Sequence, residues 1–384
     1  MLYSYSFADR KRDLSEILFT VMKDEPRFIS NFHRTADAAQ QKHEWLEDQL
    51  SGRGFTATAI ADGVLTVSAG DAAKLRTGTL VSLKNDPALF RVVSVNGTSV
   101  TLEIASGNGS AIDNAAALPA DGGNFIIVST PMSEGSANGE GEENYSTGIV
   151  RWNATQIFRK EIVLSGSALA VSLYGSADNQ LNRQTAFALS DLARDLNRVA
   201  LFGRRIESAP GVHGEAGGLY FFAANHNVPV IDAGNSVLDS FIINDAAQQV
   251  LGEGGDPMQI LCSPGQARVI ANEYRDRVQV LRSDDRRGAY VAVIINEING
   301  RGMTIMADPD VPDTDAWLLD SQCFALAALQ GRSINDFDAT PKGFDGIRRV
   351  AIGELTFEFR NVEQRCCRIK NLTASASALA ALKA

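Results

Sequence analysis

Residues 178–203 repeat apolar side chains at three- and four-residue intervals with no Pro and no interior Gly, which commits this stretch to one long amphipathic helix. Leu181, Thr185, Ala188, Leu189, Leu192, Leu196, Val199 and Ala200 make up one stripe, and Arg183, Asp191, Arg194, Asp195 and Arg198 occupy the rest of the surface. At 1.5 Å per residue the rod would be about 40 Å long. That is a girder on which other elements pack, not the wall of a pocket. An extended arm feeds it: within 151–171, Ile157, Arg159, Glu161 and Val163 alternate with other residue types over a strand-like run. Ahead of the arm, 133–148 (SEGSANGEGEENYSTG) is a Gly/Ser/Glu/Asn stretch of loop or linker composition.

A different pattern occupies 55–130. Short β-rich runs at 55–60, 63–68, 79–84, 89–95, 99–104 and 124–129 are separated by turn signals, and Asp62-Gly63 and Asn96-Gly97 are dipeptides suited to type I′ hairpins. This is a small independent β-barrel or sandwich. Residues 1–50 contain an expected helix at 13–23, an extended stretch at 26–35 and a second helical piece ending in His43-Glu44-Trp45-Leu46. Phe28, Phe32 and Trp45 are too scattered for a core of their own, so this segment should lie on another surface. After the long helix, 211–218 is Gly-rich and suggests a hinge. A helix is expected at 236–251, capped by Asn235 or Ser236, then a strand at 258–262 and a helix from Pro264 to Tyr274. Strands at 290–298 and 303–307, a strand or helix at 321–329, two alternating strands within 347–372 and a small-residue tail complete an α+β chain.

With 384 residues, 45% of them hydrophobic, the chain can build two or three cores. Its formal charge of −10 argues against affinity based on phosphate contacts, though an acidic protein can enclose nucleic acid without gripping it. Apolar runs such as 290–295 and 325–329 are too short to span a bilayer, and residues 1–10 lack a secretion signal, so synthesis in a cytoplasm is expected. Cys262 and Cys323 sit in apolar stretches, and the adjacent Cys366 and Cys367 face opposite sides of a strand, which disfavours a bond between them. A bridge to another chain through an outward-facing one of the two is weighed against a reduced, partly buried thiol.

The usual signatures of chemistry are missing. There is no phosphate loop, no zinc-type spacing among His33, His43, His213, His226 and the cysteines, and no Gly-x-Ser-x-Gly elbow, so neither a catalytic residue nor a cofactor is assigned. Asp308, Asp310, Asp313 and Asp315 are the best metal candidates, but the loop lacks the glycine a calcium site needs, and a solvated turn is the preferred reading. Arg282, Asp284, Asp285, Arg286 and Arg287 form a mixed-charge knot, suited to pairing across a subunit boundary or to an exposed loop.

His43-Glu44-Trp45, Gln156-Ile157-Phe158, Ser165-Gly166-Ser167, Asp191-Leu192-Ala193-Arg194-Asp195, Gly343-Phe344-Asp345, Gly353-Glu354-Leu355-Thr356-Phe357-Glu358 and Arg360-Asn361 together resemble one family. It is the major capsid proteins of tailed bacteriophages with the Hong Kong 97-like fold, in the subfamily with an inserted β-domain. The resemblance implies an N-terminal arm (1–50), an inserted β-barrel-like domain (51–131) and an extended loop reaching over a neighbour (132–175). A spine helix of the peripheral domain (176–209), an axial domain (210–345) and peripheral-domain strands with a C-terminal tail (346–384) would follow. Two positions depart from the family pattern: Asn197, where an acidic residue is expected, and Gln364 with Cys366-Cys367, in place of smaller residues.

The function so implied is self-assembly, through hexamers and pentamers, into an icosahedral virion head enclosing double-stranded DNA without sequence-specific binding. Assembly would take place in the host cytoplasm with portal and scaffold proteins, leaving room for a decoration protein and involving no membrane. Trp45, Trp152, Phe158, Arg159, Lys160, Glu161, Arg286 and Arg287 are the candidate intersubunit contacts, although aromatics of the arm would equally pack on their own subunit's helix. A bacterial nanocompartment shell, a carboxylate-dependent hydrolase using 308–315 and a glycan-binding virion component are the alternatives.

Overall fold

The computed structural model describes residues 27–48, 54–61, 63–84, 89–104, 123–132, 134, 148–170, 180–273 and 293–373. The expected helix at 13–23, most of the Gly/Ser/Glu/Asn stretch, the mixed-charge knot at 282–287 and the tail beyond 373 lie outside them. The chain divides into two compact units, Leu46–Ile149 and the remainder, Met1–Trp45 with Val150–Ala384.

A 3₁₀ turn, Ile29–Asn31, precedes β1 (His33–Arg34) and β2 (Lys42–Glu47). The expected helical piece around His43 is therefore a strand, paired with β9 in a two-stranded ribbon. Alternation decides the matter: Trp45 is buried while Glu44 and Leu46 are exposed, a period of two that short-range helix propensity does not reveal.

In the smaller unit β3 (Gly54–Ala61), β4 (Val64–Val67), β5 (Leu80–Leu83), β6 (Leu89–Asn96), β7 (Ser99–Ile104) and β8 (Gly123–Ser129) close into a barrel in the order β3-β4-β7-β6-β5-β8. A short helix, α1 (Ala69–Ala72), follows β4, capped by the Ser68 side chain on the Asp71 amide. Phe55, Leu65, Val81, Phe90, Val100 and Phe125 fill the interior. The second hairpin differs from expectation. Asn96 pairs with Ser99, so Gly97 and Thr98 form the loop, and of these only Gly97 has a positive φ, at 61°. That is the glycine-first pattern of a type II′ turn.

The larger unit continues with β9 (Ile149–Ala154), β10 (Gln156–Ser165), α2 (Gly166–Ala170), the long α3 (Gln180–Phe202), α4 (Leu219–Asn225), β11 (Val230–Asp232), α5 (Ser240–Gly252), β12 (Gln259–Cys262) and α6 (Pro264–Glu273). Then come β13 (Val293–Ile295), β14 (Gly302–Ala307), β15 (Ala316–Leu319), a 3₁₀ turn Ser321–Cys323, β16 (Phe324–Ala328), β17 (Asn335–Asp338), β18 (Gly346–Phe359), α7 (Val362–Arg365) and β19 (Cys366–Lys370). α5 starts four residues later than expected, because Asp239 rather than Asn235 or Ser236 caps it, accepting from the Ile242 amide.

Two sheets organise this unit. The first is centred on β18, whose one edge carries β10 over ten residue pairs and whose other edge is shared by β16 and β17. The second is six-stranded, in the order β11-β19-β15-β12-β14-β13. The closing pair of strands is thus divided: β18 belongs to the first sheet and β19 to the second, separated by α7. The result is a mixed α/β fold with two apolar clusters. One joins Leu192, Leu196, Ala200 and Leu201 of α3 to Phe158, Phe222, Phe324, Phe357 and Phe359. The other packs α5 and α6 on the second sheet through Ile243, Ala247, Val250, Ile260, Ile270 and Leu318.

The apolar stripe of α3 is deeply buried only in its C-terminal half; Leu189 is exposed. The Gly-rich stretch is not a hinge. Ile206 and Glu215 exchange backbone hydrogen bonds of 3.0 Å, making a small hairpin with Gly211 near its tip. Gly218 lies so close to the end of α3 that a Cβ there would sit 2.5–2.8 Å from the carbonyl oxygens of Val199, Leu201 and Ala200. Close approach explains that glycine.

Candidate assembly interface

β10 has two chemically distinct faces. Phe158 and Ile162 point inward and are buried, whereas Ile157, Arg159, Glu161 and Val163 point outward. Pairing with β18 places Ile157 beside Glu354, Arg159 beside Ile352, Glu161 beside Val350 and Val163 beside Arg348. β17 extends the same face, with Phe337 opposite Val350. On this face Ile157 is 52% exposed, Val163 53% and Phe337 49%, a considerable apolar exposure for one side of one sheet.

The charged triplet between the two aliphatic residues is engaged within its own chain. Glu161 pairs with both Arg159 and Arg348, and the Arg348 hydrogen bond holds its carboxyl below the usual value despite partial desolvation. Lys160 reaches across to α3 and meets Asp191 at 2.5 Å and Asp195 at 2.6 Å. Those hydrogen bonds raise the lysine pKa, and the one from Lys160 lowers that of Asp191.

A polar zipper covers the far end of the outward face. Glu354, Thr356 and Glu358 share that face of β18, all buried, while Leu355, Phe357 and Phe359 enter the aromatic core on the other. Thr155 Oγ1 donates to Glu354 at 2.6 Å, Thr356 Oγ1 to the Ala154 carbonyl at 2.9 Å, and His43 Nε2 lies 2.7 Å from Glu358. Burial alone would raise the Glu358 pKa, but the hydrogen bonds from His43 and Arg360 outweigh it and the net shift is downward. Asn153, fully buried, donates to the Phe357 and Gly217 carbonyls and accepts from the Gly217 amide. Sequence reasoning missed this zipper. Alternate polar residues on a strand ordinarily signal a solvated face.

The other predicted contact residues are placed as follows. Trp45 is buried against Phe222, with ring centroids 6.0 Å apart, and Phe158 is buried in the same cluster, so both pack on their own subunit. Trp152 is half-buried, with Arg205 4.0 Å from its ring centroid and Lys42 5.1 Å away. Arg286 and Arg287 lie outside the described residues.

Two members of the aspartate cluster, Asp308 and Asp315, are buried, whereas Asp310 is half-buried and Asp313 exposed, so the expected solvated turn holds only in part. Asp308 is buried and accepts from the Phe28 amide, from Asn197 Nδ2 at 3.0 Å and from the Asp310 amide. Asp315 accepts from Tyr220 at 3.0 Å and from Arg368 at 2.6 Å. Among the described residues no group of three or more His, Cys, Asp or Glu side chains could hold a metal ion. Each of these two carboxylates is directed at a donor of its own fold. Asn197 also becomes intelligible: its amide donates to two carboxylates, Asp308 and Asp310, while its oxygen accepts from the Ile29 amide. An acid at this position would oppose both.

All four cysteines are buried and free, so neither Cys366 nor Cys367 faces outward for a bridge to another chain.

The family model described as SU10 major capsid protein matches residues 3–373. The chain belongs to that family. It is therefore a structural protein of an icosahedral phage head. No curated protein matches its sequence. Among solved structures it is similar to a capsid chain of an empty GTA particle, with 10% identity over 97% of this chain and 100% of that one and a TM-score of 0.52. It is also similar to a chain of Mycobacterium phage Adephagia, with 11% identity over 98% and 99% and a TM-score of 0.50. At such identities the likeness is one of fold. An encapsulin from Synechococcus elongatus PCC 7942 matches 60% of the chain and 79% of its own, with 12% identity and a TM-score of 0.43, too low to favour a nanocompartment.

Proposed function

We propose that copies of this subunit join through the outward face of β10 and β17, forming the hexamers and pentamers of a Hong Kong 97-like head around double-stranded DNA. The observation that carries the reading is the pair Ile157 and Val163, exposed on a strand whose charged residues are already satisfied internally. Apolar groups left open on such a face gain free energy only when another surface covers them. Within this reading 51–131 is the inserted domain, 132–175 the extended loop, α3 the spine, 210–345 the axial domain and 1–50 the arm. Trp152 and the Arg159–Glu161–Arg348 ladder set the register of the contact. Assembly takes place in the host cytoplasm with scaffold and portal partners, and the acidic chain encloses DNA without gripping it.

The test is a double substitution, Ile157→Lys with Val163→Lys. Both positions are exposed, so the subunit should keep its melting profile, and negative-stain microscopy should show loose subunits or small oligomers in place of shells. Normal shells from this variant would remove the interface. A deletion of 133–148 tests the reaching loop separately and should impair assembly while leaving the subunit folded.

A further inference from the structure

The chain passes between its two sheets three times, from β10 to β11, from β15 to β16 and from β18 to β19, and a cysteine stands at each of the last two passages. Cys323 ends the 3₁₀ turn that leads into β16, and Cys366 opens β19. Their sulfur atoms are 3.8 Å apart, with the Cys366 thiol directed at Cys323 and the Cys323 thiol donating to the Arg360 carbonyl at 2.8 Å. Both side chains are fully buried in the aromatic cluster. The other two thiols are in different company: Cys262 and Cys367 belong to the second cluster, and Cys367 lies near Gln249. The alternation of a strand separates the adjacent cysteines and leaves Cys366 with Cys323 as its neighbour.

We infer that Cys323 and Cys366 are a redox-operated staple, open as two thiols in a reducing cytoplasm and closing to a disulfide across the junction of the two sheets when a small disulfide oxidant reaches them. The reaction is two successive exchanges. One thiolate attacks the oxidant and displaces the first small thiol, and the second protein thiolate then attacks the mixed disulfide and displaces the other. Two protein S–H bonds and one small disulfide thus become one protein disulfide and two small thiols. The sulfurs must approach by less than 2 Å to reach a bond of about 2.05 Å. While the junction is closed, burial and the neighbouring thiol hold Cys323 in its protonated, unreactive form. Exchange therefore waits on an opening of the junction, and the bond, once made and buried again, is shielded from reductants. A shell protein made in a reducing cell and carried outside it meets both conditions in turn.

The full-length chain is equilibrated in reduced and oxidised glutathione at a series of ratios, at a temperature just below its melting midpoint. Samples are quenched with acid, alkylated after denaturation and mapped by mass spectrometry. The expected product is a 323–366 cross-linked peptide, with Cys262 and Cys367 alkylated. The oxidised protein should melt roughly 5–10 °C higher than the reduced protein, as closure of a loop of this length predicts. Cys323→Ala and Cys366→Ala should each abolish both the cross-link and the shift. Full alkylation of all four cysteines at every ratio, a dominant bond involving Cys262 or Cys367, or an unchanged or lower melting midpoint on oxidation would overturn the staple. The wild-type peptide map decides the question even where a substituted chain folds poorly.

Discussion

Replacement of Asn197 by Asp is nearly isosteric and puts the account of the α3 anchor at risk. In the native chain the amide nitrogen donates to Asp308 at 3.0 Å and to Asp310 at 3.2 Å, and the side chain is fully buried. The substitution removes two hydrogen bonds to charged acceptors, each worth about 1.5–3 kcal/mol. It also sets a third carboxylate against two others, where unit charges about 4 Å apart repel by about 4 kcal/mol at an effective permittivity near 20. The introduced carboxyl escapes part of this by binding a proton, so a net loss of about 3–5 kcal/mol at pH 7 is expected. In a unit of this size that lowers the melting midpoint by roughly 10 °C. The pH dependence is the diagnostic. Burial and two like charges raise the folded-state pKa of the new group, so its deficit is small below the unfolded value, about 4, and grows as pH rises through the folded value. Asn197→Ala, which loses the donors without adding a charge, should cost about 2–3 kcal/mol with no such added pH dependence. The assay is calorimetry of all three chains from pH 4 to 8. A variant with Asp at 197 that melts within 2 °C of the wild type at pH 7, or whose deficit does not change with pH, refutes the argument.

Glu358→Gln should cost about 1–3 kcal/mol at pH 7, because a buried carboxylate that accepts from His43 and Arg360 becomes a neutral amide. The native pKa is depressed, so this contribution is present above the unfolded value and is lost as pH falls through the folded one. Urea titrations should show the gap at pH 7 narrowing as pH falls below the usual glutamate range, and a constant gap would contradict the assignment. Gly218→Ala places a methyl group against three carbonyl oxygens at the end of α3 and should cost about 3 kcal/mol. Gly252→Ala at the end of α5 meets no atom within 4 Å and should leave the midpoint unchanged or slightly higher. Equal effects of the two glycine substitutions would discredit the close-approach argument.

What was legible in the sequence follows from the range of the interactions involved. α3 and the six barrel strands emerged within a residue or two because their periodicity is local and uninterrupted. The strand at His43–Trp45 did not, since its alternation covers only a few residues and its stability comes from β9, over a hundred positions away. The division of β18 and β19 between two sheets was equally hidden, because both strands alternate and only α7, four residues long, marks the passage. Phe158, a candidate contact, and Val163, named only for its place in the alternation, looked alike as arm residues. Odd and even positions on β10 separate a core aromatic from an exposed aliphatic, and which parity faces inward is fixed by α3, not by the strand itself. The aspartates were recognisable as a cluster, but their partners Phe28, Asn197, Tyr220 and Arg368 come from distant segments, so their work as acceptors for the fold could not be read locally.

If β10 carries the proposed contact, the spacing of its exposed groups bears on how such a contact can be selective while each one stays weak. Ile157 and Val163 are six residues apart, about 20 Å along the strand, and the Arg159–Glu161–Arg348 ladder lies between them. A partner surface that covers both aliphatic residues must also accommodate the charges. A slip of one residue would set the partner's apolar groups against the ladder and leave both aliphatics wet. Since Glu161 is already paired at home, a correctly placed partner has no unpaired charge to desolvate, and the gain per contact is that of two modest apolar patches. Weak contacts of this kind can open and re-form during assembly, and many of them acting together hold a closed shell that no single one could maintain.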